Sequence, residues 1–388
     1  MRFNEFKTPL TESIKLTEGA RIEHLEDLVF RELPPSKGAN RALQSLINME
    51  KGGHTDVTVK WDGSPAVIFG RNDDGDFIFT DKSGFTAKGY DGKAKSADDV
   101  ETMLKNRPGY TKNPEGYSVL IDKMKSAYTA FEKATPKDYK GFFKGDMLYF
   151  DTPKVQDGHY VFTPNIVTYK VTTDSSLGEQ IGASKTGIVI HREVDSVGSE
   201  GPLSNADIFE GNDVLVVPPV QAQSAPQIDD TSVKELKAVI AKDAAAMDSL
   251  ININTLTELK MKDLPKIFYA YMNSKVDTGL DNLGGDFMDW VNNNNKISGV
   301  KQKRIAEYIT NNQQGFNALW EVVAKIQQVK DDVIFQLDNQ PGAPVKQSMT
   351  SKDDSVDGGE GYVLAHPGGD IKLVPRKTFS KYNRAVER

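Results

Sequence analysis

Residues 57–70 read VTVKWDGSPAVIFG, an alternating run rich in β-branched residues that ends in a lysine, an Asp-Gly pair and a second apolar run. The pattern predicts a strand, a tight turn and another strand, with Lys60 at the first strand's end. An amine of ordinary pKa, about 10.4, is a poor nucleophile at neutral pH, and it becomes a good one where partial burial or neighbouring cations favour the neutral form. The competing reading is a turn-flanking lysine that snorkels to water. The rest of the inventory narrows the chemistry. Zero cysteines exclude disulfides, thiolate zinc sites and thiol catalysis, and five scattered histidines argue against a metal site built on imidazoles. That leaves Lys, Asp, Glu, Ser and Tyr, together with a hard cation.

The elements that must position these residues follow from period and composition. With 388 residues, 38% hydrophobic and 27% charged, the chain is sized for about two domains of ordinary soluble character. No run reaches the 18 or so apolar residues of a membrane helix, and the start MRFNEFKTPL lacks a signal-peptide core, so a cytoplasmic location without membrane partners is expected. A net charge of −7 gives no global footprint for nucleic acid and leaves room for a local one. Helical spacing runs over residues 36–51; from there to Val217 short β-like runs dominate, interrupted by helices near 97–104 and 118–133. Such a half reads as α+β on antiparallel sheet. Residues 218–230, PPVQAQSAPQIDD, read as a linker, and helical periodicity follows over 233–249, 256–273, 286–291, 301–309 and 316–337. Residues 338–359 read as a loop, after which EGYVLAH and IKLVPRKTFS return to strand character. Two short strands do not stand alone, so they are expected to rejoin the first sheet. The expected division is one α+β domain over 1–224 and 340–388, interrupted by an all-α insertion over 225–339.

Five stretches in a fixed order add a resemblance. Lys60-Trp61-Asp62-Gly63 resembles the Lys-x-Asp-Gly nucleophile motif of the covalent nucleotidyltransferases, the superfamily of ATP-dependent DNA ligases, RNA ligases and messenger-RNA capping enzymes. FFKGDMLY is similar to its aromatic-x-Gly-acid motif, with Asp146 at the acidic position. IVTYKV is similar to the strand that carries a base-stacking aromatic, here Tyr169. GEGYVL resembles the Glu-Gly-hydrophobic-Val motif and IKLVPRK the terminal Lys-x-Lys motif, giving Glu360 and Lys372. The resemblance implies an ATP-grasp-like nucleotidyltransferase fold and a lysyl-AMP intermediate on Lys60. It further implies nucleotide contacts from Val59, Asp62, Gly63, Lys82, Asp146, Tyr169, Glu360 and Lys372, with Mg²⁺ or Mn²⁺ on Glu360 and Asp146.

This chain departs from the pattern in three places. Pro65 stands where ligases often carry arginine, so that Arg71 or Lys82 substitutes or the contact is missing, and Val374 replaces the second lysine of the last motif, with Arg376 and Lys377 nearby. Only 11 residues follow Lys377, too few for the oligonucleotide-binding domain of DNA ligases and capping enzymes, which points to the RNA-ligase-like branch or to a minimal ligase that grips its substrate with the insertion. The motifs also look similar to those of tailed-phage proteins, which would put the protein in a host cytoplasm. Six basic residues against Glu387 give residues 371–388 a net charge of +5, a candidate phosphate-binding surface. Lys296, Lys301, Lys303 and Arg304 form a second basic cluster, while Trp290, Phe316 and Trp320 read as helical core and His191 as a strand-surface residue. The expected activity is ATP-dependent polynucleotide ligation on RNA or DNA ends. The alternatives are a nucleotide-binding scaffold that keeps the fold without sealing, or transfer to another acceptor.

Overall fold

Runs such as FIFTD, GFFKGDMLY and TGIVIHREV carry large apolar side chains on alternate positions, and a strand of that kind must bury one face. A computed structural model describes residues 22–86, 93–203, 209–276, 282–350, 354–366 and 369–386. In it these runs pair into a largely antiparallel sheet in the order Glu200–Pro202, Thr186–Val194, Gly141–Tyr149, Ala66–Arg71, Phe77–Asp81, and Val214–Val216 joins Thr186–Val194 in parallel. Val67, Phe69, Phe79, Phe143 and Ile188 share a core with Met124 and Phe131 of the helix Pro114–Ala134 and with Val100 and Met103 of the helix Ala97–Lys105. Both helices begin where the sequence caps them: the side chains of Asn113 and Ser96 accept from the backbone N–H groups of Gly116 and Asp99 at 3.0 and 3.1 Å. A second sheet has the order Ser355–Asp357, Val345–Thr350, Val167–Thr172, His159–Phe162, Lys154–Gln156. The two sheets belong to one compact unit, Trp61–Val220 with Pro344–Gly359.

The described chain up to Lys60, Gln221–Ala343 and the chain from Glu360 onward make the other unit. Its sheet has four short strands, in the order Glu23–His24, Ile371–Leu373, Tyr362–Leu364, Val57–Val59. Val57, Tyr362, Leu364, Ile371 and Leu373 are buried in one cluster with the helices Pro35–Glu50, Asp230–Leu250 and Gln313–Asp338. Phe268, Tyr271, Phe287, Phe316 and Trp320 interlock in that cluster, with ring centroids 5.1 to 6.5 Å apart.

Several expectations meet a different structure. The helices of 225–339 are no insertion with a core of their own: the sheet of Lys60 has one apolar face, and these helices cover it. Residues 338–359 hold two strands, Val345–Thr350 and Ser355–Asp357, in place of a loop. The helix expected over 256–273 is two, Ile253–Glu258 and Leu264–Lys275, separated at Lys260, whose φ of +55° is left-handed and cannot continue a helix. The α+β class stands; no described feature singles out an ATP-grasp-like arrangement.

Candidate active site

Lys60 follows the strand Val57–Val59 directly, and its backbone N–H donates to the Gly361 carbonyl at 2.9 Å, extending the ladder by one residue. Gly361 has φ +108°, and a Cβ there would lie 2.0 Å from the Leu373 carbonyl oxygen, so only glycine lets the chain turn this close to the neighbouring strand. The turn sets Glu360 beside Lys60, and the carboxylate and ammonium form an ion pair with side-chain exposures of 16% and 20%. Lys372 enters by register. It lies opposite Val363, which lies opposite Thr58, and side chains alternate along strands, so Lys372, Thr58 and Lys60 share the sheet face opposite the one packed on the helices Pro35–Glu50, Asp230–Leu250 and Gln313–Asp338.

His24 completes this face on the fourth strand, directly opposite Lys372. A cavity of about 240 Å³ opens here, lined by His24, Asn273, Glu360, Lys372, Arg376 and Ser380 among others. Burial pushes the His24 imidazole well below its usual range, and Arg376, Lys330, Lys372 and Lys60 push it the same way. Arg376 is held by two buried carboxylates: its guanidinium donates to both oxygens of Asp27, at 2.9 and 2.5 Å, and lies 3.3 Å from Glu26. His24, Asn273 and Ser380 went unremarked in the sequence because they lie in a two-residue strand and on helices, outside any recognisable motif.

Val59 alternates with Lys60, so it packs on the helical core and does not face this group. The remaining expected residues lie in the first unit. The carboxylate of Asp62 accepts from the Asn165 side chain at 3.1 Å and from the Ile166 backbone at 3.3 Å, ordering the turn. Gly63 runs so close to the strand Gly141–Tyr149 that a Cβ would meet the Asp146 Cβ at 2.7 Å. Asp146 lies 3.0 Å from His191 Nε2, so this histidine is surface-exposed, as expected, and also partnered. Lys82 is exposed, 3.6 Å from Glu200. Tyr169 offers no ring for stacking: it is fully buried, 4.6 Å from the Trp61 ring, and the Asp62 backbone N–H donates to its hydroxyl at 2.6 Å. The strand IVTYKV turns this position toward a core that the sequence could not locate. Arg71 is likewise structural, donating to the carbonyls of Glu132, Thr135 and Pro136 at 2.9 to 3.0 Å.

A residue of each basic cluster is engaged by a carboxylate. Arg376 is committed to Asp27, Arg388 lies outside the described residues, and Lys301 is engaged by Asp263 at 2.5 Å. Among the described residues, no helix is long and apolar enough to cross a membrane. A family of unknown function, DUF6267, matches residues 20–388. No curated protein and no solved structure matches the chain.

Proposed function

The chain belongs to the DUF6267 family, and from the residues gathered on its four-stranded sheet we propose a covalent nucleotidyltransferase, an ATP-dependent polynucleotide ligase of RNA-ligase-like type. The observation that carries the proposal is the Lys60–Glu360 ion pair, formed by residues 300 positions apart from two motifs of that chemistry, with Lys372 on the same sheet face. The Lys60 amine attacks the α-phosphorus of ATP. An N–P bond forms, the bond to the bridging oxygen breaks, pyrophosphate leaves, and Lys60 gives a proton to solvent, leaving lysyl-AMP. The AMP then passes to the 5′-phosphate of a polynucleotide end. An ammonium held by a carboxylate is no nucleophile, so attack requires the Lys60–Glu360 pair to open. Lys372 supplies positive charge for the α-phosphate.

Among the described residues no group of three or more His, Cys, Asp or Glu converges on one point. Glu360 brings one carboxylate to the face of Lys60, which would hold a hydrated Mg²⁺ or Mn²⁺ together with substrate phosphates. When bound, such a cation neutralises charge on the departing pyrophosphate. Asp146, partnered by His191 in the first unit, is assigned no metal role. The fully buried Tyr169 ring favours the second reading, a nucleotide-binding scaffold that keeps the motifs without sealing ends.

Incubation with α-labelled ATP, and separately GTP, in Mg²⁺ tests the proposal. The expected result is an acid-labile, alkali-stable adduct on Lys60 with ATP, absent in Lys60→Ala. Lys60→Arg is expected to be equally inactive, because a guanidinium stays protonated. No adduct, or an equal one in Lys60→Ala, removes the enzyme reading and leaves the scaffold.

A further inference from the structure

The cavity beside Lys372 has a composition that the five motifs do not explain. Four of its lining residues, Glu360, Lys372, Val374 and Arg376, come from the motif stretches; His24, Asn273 and Ser380 come from an edge strand, a helix of the 221–343 segment and the C-terminal helix Arg376–Val386. At about 240 Å³ the cavity falls below the roughly 300–1,000 Å³ of sites that enclose drug-sized ligands, so it suits a small group better than a whole nucleotide. Its polar wall consists mostly of donors. Lys372 and Arg376 are cationic, and Asn273 and Ser380 each bring a donor. The carboxylate at the rim, Glu360, is already paired with Lys60.

His24 fixes the sign of the ligand. Its Nδ1 is buried with no hydrogen-bond partner, so we assign the ring proton to Nε2. The ring lines the cavity together with Lys372 and Arg376; Arg376, like Lys330 and Lys60 outside the cavity, is paired with a carboxylate, respectively Asp27, Glu26 and Glu360. Burial first, and then these cations, keep the imidazole neutral, and the Lys372 ammonium on the same wall offers charge to an anion. A neutral imidazole N–H among lysine and arginine groups binds an oxyanion without adding a charge to be desolvated.

We propose that this cavity is a phosphate-binding site that holds pyrophosphate, with His24, Lys372, Asn273 and Ser380 as its donors. The source of the pyrophosphate rests on the nucleotidyl-transfer reading; the binding itself does not. Titrating inorganic pyrophosphate into the full-length chain by calorimetry tests the site. Wild type is expected to bind. His24→Leu, which keeps bulk and removes the donor, and Ser380→Ala, a mild change at the wall, are each expected to weaken binding about tenfold. His24→Gln returns an N–H donor and is expected to restore most of the loss, which a merely packed histidine would not do. Ser380→Ala keeps the test decisive if His24→Leu fails to fold. A wild type that does not bind pyrophosphate, or a Ser380→Ala chain and a folded His24→Leu chain that bind it as wild type does, would overturn the proposal. ATP labelling of Lys60 on the same preparations separates the two claims. Labelled Lys60 without pyrophosphate binding overturns the cavity alone; His24-dependent binding without a label supports the cavity and removes the transfer reading.

Discussion

That Lys60 and Glu360 come together was expected because each sits in a short stretch that resembles a nucleotidyl-transfer motif, and a four-residue pattern survives where long-range packing cannot be read. The burial of Tyr169 was not. Alternation in IVTYKV says that Tyr169 lies on the opposite face from Lys170, but not whether that face meets a ligand or a core, and it meets Trp61 and Phe162. A test at this scale is Tyr169→Phe. The change removes the hydroxyl that accepts from the Asp62 N–H at 2.6 Å and leaves the ring packing in place. The expected cost is about 1 kcal/mol in urea unfolding, since a buried donor loses its partner. Lysyl-AMP formation should keep its ATP dependence within about twofold, a margin set by the ring's burial; a tenfold weaker ATP dependence would return Tyr169 to the nucleotide. Lys82 differs in kind, since it is exposed and its sequence neighbourhood said nothing of Glu200 in a separate strand.

At the scale of elements, periodicity found the long helices to within a few residues because their apolar stripes are long, but it missed Ser176–Ala183 and read the start of Arg376–Val386 as strand. Gln313–Asp338 spans 26 residues and buries Phe316, Leu319, Val323, Ile326 and Leu337 on one side. Strands of three residues are the opposite case: Val57–Val59, Tyr362–Leu364 and Ile371–Leu373 are too short for a period, and their pairing depends on contacts across 300 residues. Ser355–Asp357 was lost in a polar stretch, where an edge strand with an exposed pattern resembles a loop. The turn at Gly361 carries its own prediction. Gly361→Ala forces a side chain into φ +108° and against the Leu373 carbonyl, which should cost more than about 1 kcal/mol and displace Glu360. Both a lower unfolding midpoint and loss of the Lys60 adduct are expected. An adduct at the wild-type rate would mean that the Lys60–Glu360 geometry does not govern the chemistry.

At the scale of the whole molecule, the sheet that bears Lys60 is tied to its helices by charge as well as by apolar contact. Lys330, in the middle of the helix Gln313–Asp338, is fully buried and donates to both Glu26 carboxylate oxygens at 2.9 Å, while Arg376 bridges Glu26 and Asp27. Sequence patterning gave no warning, because a lysine in a helix reads as a solvent-facing residue. Removing one partner from such a network strands the other charge. Lys330→Met is therefore expected to cost about 3–5 kcal/mol, seen as a large drop in unfolding midpoint. A loss under about 1 kcal/mol would show that Glu26 escapes to water or protonates without penalty.

The two buried carboxylates respond to pH with opposite signs. Lys330 and Arg376 hold the Glu26 carboxyl below its usual range, overcoming its burial. Asp27 shares one arginine with Glu26, and burial, with the negative Glu26 alongside, pushes it up to about 6 against the pull of Arg376. A carboxyl raised from an ordinary 3.8 to about 6 makes the folded state bind the extra proton. Its contribution to stability is fully present below about pH 4 and is lost as pH rises through about 6. Glu26 behaves in reverse, contributing above its unfolded pKa and losing that contribution as pH falls through its folded one. Comparing wild type with Asp27→Asn isolates the first effect, since asparagine cannot titrate. The stability of wild type relative to Asp27→Asn should rise as pH is lowered from 7 to 5, measured by urea unfolding at each pH. A difference that stays flat, or that falls toward pH 5, would mean that Arg376 wins over burial and keeps Asp27 ionised throughout.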